Sequence, residues 1–138
     1  MLYNLSQESS VLMTGVDTRP AGSAERVVAT KAVLSAAARL GLSNKVLGRI
    51  IGLSEATVSR MGSGAYTLAP GEKPFEIAML LVRLFRSLDA IAGGDEAVAA
   101  AWLRAENMAL GGTPLGLIES LSGLVHVLGY LDARRALA

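Results

Sequence analysis

Two glycines one helical turn apart, Gly48 and Gly52 in the run Leu47-Gly48-Arg49-Ile50-Ile51-Gly52-Leu53-Ser54, constrain this chain more than any other feature. A residue leaving a helix with positive φ is inexpensive only as glycine, which suits Gly52. Gly48 has no side chain, so a following helix can cross closely over it. Leu47, Ile51 and Leu53 supply an inner side, and Val58 and Met61, six and nine residues beyond Gly52, face it from the next helix. Ser54, Glu55, Ala56, Thr57, Ser59 and Arg60 are left to look outward. The pattern predicts two short helices around a tight turn, the second with a small, polar, cationic outer face.

Such a face suits the major groove of DNA. Eight helical residues span ~12 Å, comparable to the ~12 Å groove width. Ala56 and its small neighbours let the helix descend, Ser54, Thr57 and Ser59 can bond to bases or phosphates, and Arg60 can reach the O6/N7 edge of guanine. Ser43, Lys45, Arg49 and the free N–H groups of the first helix are placed for phosphates. The competing reading is an ordinary helical hairpin with a solvated face. Five apolar positions coinciding with a Ser-x-x-Thr-Val-Ser-Arg face favour DNA. Glu55 counts against phosphate contact, unless it accepts from a cytosine amine. One reading helix binds weakly, so a dimer is expected, on half-sites ~34 Å apart or multiples of that.

The remaining sequence predicts an all-α protein. Hydrophobic residues make up 51% of the 138, but only 4% are aromatic, so helix-forming Ala and Leu dominate with Val and Ile. Ser23 and Glu25 open a helix that stops at Gly41. Ser43 or Asn44 caps the next, and Ser54 caps a third that ends near Gly64. Pro74 fits the first turn of a long helix to Ile91. Asp95 caps another through about Ala105, Thr113-Pro114 opens a short one, and Ser122 or Gly123 begins the last. The expected organisation is an arm over 1–22, flexible or loosely docked, a helix-turn-helix domain over 23–70, a connecting or dimerising helix over 71–93, and a small helical domain over 94–138. In the long helix, Ile77, Leu81, Leu84, Phe85 and Leu88 form an apolar stripe that is either core or a two-fold dimer seam.

Mean hydropathy is high at +0.44, yet Arg83 and Arg86 interrupt the longest apolar stretch, Phe75 to Ile91, so no membrane span is expected. The apolar excess suits interfaces. Residues 1–69 carry seven Lys/Arg against four Asp/Glu, a net of +3; residues 70–138 carry six against eight, a net of −2. DNA at one end and a different partner at the other fit this asymmetry. Without cysteine there is no thiolate site or disulfide, and Met1 to Pro20 lacks the form of a secretory signal, so the cytoplasm is expected.

The stretch Trp102-Leu103, then Asn107-x-x-Leu110-x-Gly112-x-Pro114-Leu115-x-Leu117-Ile118, then Gly123-x-x-x-Val127-x-x-x-Leu131, resembles the Xre/MbcA/ParS antitoxins. The resemblance covers about Ser23 to the C-terminus. It implies an antitoxin whose N-terminal domain represses its own operon at operator DNA. It further implies a C-terminal domain that sequesters a NAD-consuming RES-domain toxin in a larger hetero-oligomer. Toxin contacts are expected from Trp102, Asn107, Leu131, Arg134 and Arg135. As bare structure, Trp102 reads first as the core anchor of a small domain and only second as a toxin contact. The two arginines, on what reads as a mobile terminus, have guanidinium forks suited to an anion-binding cleft in the toxin. Gly48 departs from the alanine common at that place in helix-turn-helix proteins.

Nothing in the residues calls for catalysis, a cofactor or a metal. His126 is the single histidine and lies among Leu124, Val125, Val127 and Leu128, as a packed or interfacial residue would. No nucleophile–base pair or phosphate-cradling glycine loop accompanies it. Two other functions stay open: a stand-alone dimeric repressor, and a protein-interaction adaptor that never meets DNA.

Overall fold

The computed structural model describes residues 23–137. The expected arm over 1–22 lies outside them, as does Ala138. In chain order the helices are α1 (Ser23–Arg39), α2 (Asn44–Ile51), α3 (Glu55–Ser63), α4 (Lys73–Ile91), α5 (Glu96–Arg104), α6 (Pro114–Leu117) and α7 (Leu121–Ala136). Among the described residues the only β-type pairing is an isolated bridge between Asn107 and Gly112.

Local chemistry starts most of these helices. The hydroxyls of Ser43, Ser54, Thr113 and Ser120, and the carboxylate of Asp95, accept backbone N–H groups in the first turns of α2, α3, α6, α7 and α5. Each such cap is worth ~1 kcal/mol. The start of α7 differs from the Ser122 or Gly123 expected. Ser120 is its cap, with Gly123 N donating to Ser120 Oγ at 3.1 Å. The reason is packing: a Cβ on Gly123 would stand 1.9 Å from the Leu117 carbonyl oxygen. Gly123 must therefore lie inside the first turn of α7, pressed onto α6.

Helix α4 is the spine, packing on α1, α2, α5 and α7. Leu81, Leu84, Phe85 and Leu88 are buried there within their own subunit. This corrects the seam reading for those four residues. Burial of each large apolar side chain stabilises the fold by ~1.5–3 kcal/mol, and a chain in this fold cannot present them to a second copy. Ile77 alone of the five is half-exposed. One continuous apolar cluster runs from Val33 in α1 through Leu47, Val58 and Leu84 to Leu131 in α7. The segments 23–70, 71–93 and 94–138 share that core.

Two buried polar side chains stitch distant segments together. Thr30 Oγ1 accepts from Leu68 N at 2.9 Å while donating to Arg26 O, which ties the α3–α4 connection to α1. Ser87 Oγ donates to Asp132 Oδ1 at 2.9 Å and accepts from Arg135, which ties α4 to α7. Both satisfy groups that would otherwise be costly to bury.

Candidate functional site

The turn between α2 and α3 forms as its glycines require. Gly52 takes φ 83°, and the N–H groups of Gly52 and Leu53 both donate to Gly48 O, at 2.8 and 2.9 Å. A Cβ on Gly48 would meet the Leu53 carbonyl oxygen at 2.4 Å. The close approach is thus made by the turn's own backbone as it leads into α3. Leu47, Ile51, Val58 and Met61 are buried and Leu53 is half-buried against them.

That packing leaves Ser54, Glu55, Ala56, Ser59 and Arg60 exposed and Thr57 half-exposed. Three of these side chains join in a row along α3. Ser54 Oγ donates to Thr57 Oγ1 at 2.9 Å, and Arg60 Nη2 donates to the same oxygen at 3.0 Å. The guanidinium is therefore held along the helix. On α2, Ser43 Oγ is engaged as the cap, Lys45 is exposed, and Arg49 Nη1 lies 3.8 Å from Glu119 Oε1. The outer face of the hairpin is small, hydroxylated and cationic.

The second corner lies between α5 and α6. Asn107 is half-buried; its side-chain oxygen accepts from Leu110 N, and its backbone pairs with Gly112. Trp102 is half-buried and stacks on Tyr130 of α7, ring centroids 6.2 Å apart. Arg134 extends this stack, its guanidinium 5.7 Å from the Tyr130 ring and donating to Tyr130 Oη at 2.8 Å. Arg135 turns the other way, toward Ser87, along an open cleft of about 650 Å³ that it shares with Arg83, Arg86 and Asp132.

Three sequence expectations change here. Leu131 is buried in the core, because Gly123, Val127 and Leu131 form the inward stripe of α7, so it is no surface contact. Arg134 and Arg135 lie in the last turn of α7 rather than on a loose end. Of the two readings of His126, packed or interfacial, the packed one falls, since it is exposed on the outer side of α7. The same side carries half-exposed Leu121 and Val125, and Met108 stands fully exposed at the α5–α6 corner. Their apolar character was visible in the sequence; their outward direction depends on which stripe α4 covers. Among the described residues no cluster of His, Asp or Glu could hold a metal ion, and no helix is long and apolar enough to cross a membrane.

Polar contacts link the two corners. Arg104, at the end of α5, donates to Leu40 O and Gly41 O, where the chain leaves α1 for the hairpin. Arg39 pairs with Glu96 at 2.7 Å and lies over the Phe85 ring.

An all-helical chain with a helix-turn-helix, fused through one core to a second helical unit, defines a helix-turn-helix protein with an appended interaction module. Residues 20–86 match the model of the antitoxin Xre-like helix-turn-helix domain, and residues 87–136 match that of the antitoxin Xre/MbcA/ParS C-terminal toxin-binding domain. The chain belongs to the Xre/MbcA/ParS-type antitoxins, the neutralising halves of toxin–antitoxin pairs. No curated protein matches it.

Proposed function

We propose that this antitoxin neutralises a RES-domain, NAD-consuming toxin by direct binding and represses its own operon as a dimer in the cytoplasm. The row Ser54–Thr57–Arg60 along the exposed side of α3 carries the repressor reading, with Ser59 and Ala56 beside it and Ser43, Lys45 and Arg49 toward the phosphates. Because the α4 stripe is spent on the core, the homodimer would use the face between α1 and α4, where Val28, Phe75 and Met79 border an open groove that Glu25, Arg83 and Arg86 also line. A two-fold axis would bring those opposite charges together.

For the toxin, support comes from the apolar outer side of α7 (Leu121, Val125), Met108, and the Trp102–Tyr130–Arg134 stack. Asn107, half-buried at the α5–α6 corner, shapes that corner and would add a polar contact beside it. Arg134 and Arg135 would meet an anionic cleft ligand or carboxylate in the toxin. The test is co-expression with the neighbouring gene product: the chain should copurify with it and rescue growth. Arg134→Ala with Arg135→Ala should weaken rescue while the fold stays intact. Deleting 131–138 would be a poorer probe, since it removes Leu131 from the core. A chain that shifts its promoter DNA but never captures or silences the neighbour would be a stand-alone repressor; capture without any DNA shift would make it an adaptor.

A further inference from the structure

The segment matched to toxin binding places one carboxylate against the helix proposed to sit on phosphates. Glu119 follows α6, and its Oε1 lies 3.8 Å from Arg49 Nη1 on α2. Its position is rigidly set. Ile118 before it is fully buried, Ser120 after it caps α7, and Gly123 presses the first turn of α7 onto the Leu117 carbonyl. Among the described residues Arg49 has no other ion-pair partner, and its side chain is about half exposed.

We infer that Glu119 lowers the phosphate affinity of the DNA-facing hairpin by lying beside Arg49 and adding negative charge there. This rests on the DNA reading of α2 and α3. An arginine paired to a carboxylate gives a phosphate less than a free one, because the pair must be loosened and the carboxylate repels the backbone. Glu119 belongs to the toxin-binding segment. A partner that brings a cationic side chain to Glu119 therefore releases Arg49 to the DNA, and one that brings an anionic group does not.

The experiment uses the full chain and a mixed-sequence duplex long enough for two half-sites, titrated over a range of salt. Glu119→Gln should tighten binding at low salt by about 2- to 5-fold. It should also steepen the slope of log K against log salt by about 0.9, the signature of one further phosphate contact. In an Arg49→Gln background the same substitution should give neither change. Binding by wild type that Glu119→Gln leaves unaltered, or a gain that survives Arg49→Gln, overturns the inference. If the wild-type chain binds no duplex even at low salt, the DNA reading itself falls, and the inference with it. Matching thermal melts for the variants exclude loss of fold as the cause.

Discussion

The two corners of this molecule are built by different means. The hairpin corner at Gly52 is local: glycine backbone freedom, a serine cap and an apolar pair within one stretch make it, and its outer side faces solvent, its polar groups bonded mainly within the same stretch. The second region, running from the α5–α6 corner through the α6–α7 junction, depends on contact: Gly123 is needed because α7 presses on the Leu117 carbonyl, and several conspicuous residues are engaged within the protein itself. Asn107 closes its own loop, Leu131 fills the core, and Trp102 leans on Tyr130. The local corner keeps its polar side chains at the surface, whereas the corner made by packing buries part of Trp102 and all of Leu131.

Substitutions can break this contrast. Gly123→Ala has the largest expected effect, since its Cβ would stand 1.9 Å from the Leu117 oxygen and 2.7 Å from the Leu117 carbon. Backbone cannot yield as a flexible side chain can, so the loss should be ~3 kcal/mol or more in urea denaturation. Because one core serves the whole chain, helix signal and Trp102 fluorescence should fall in a single transition. Two separate transitions would mean the halves are independent.

At the hairpin, Gly48→Ala should cost ~1–3 kcal/mol, its Cβ falling 2.4 Å from the Leu53 oxygen. Gly52→Ala meets no atom within 4 Å and strains only the φ of 83°, so ~1–2 kcal/mol is expected. Should Gly48→Ala prove neutral, the turn can relax, and the alanine common there in other helix-turn-helix proteins would fit here too.

How much of this could be read beforehand follows the same division. The hairpin, its cap at Ser54 and its exposed face were legible, because every determinant lies within about twenty residues; the other cap stood between Ser43 and Asn44, and Ser43 fills it. The positions of Thr113 and Asp95 as caps were legible for the same reason. The stripe in α4 was ambiguous, since periodicity marks an apolar side without saying whether it meets its own chain or another. The same ambiguity put Leu131 on the surface and left His126 either packed or interfacial: α7 has two apolar sides, and only its contact with α4 chooses between them. Ser87, Thr30 and Glu119 gave no signal, since their partners lie 38 to 70 positions away in the chain.

The DNA-reading role of α3 is tested most directly by measuring Arg60→Ala against a panel of single-base variants of the promoter site. The account predicts a loss of ~1–3 kcal/mol with preference relaxed at one base position, against a wild-type salt slope of roughly −5 to −7 for a dimer contacting six to eight phosphates. An unchanged affinity, with every base still discriminated as before, would contradict it.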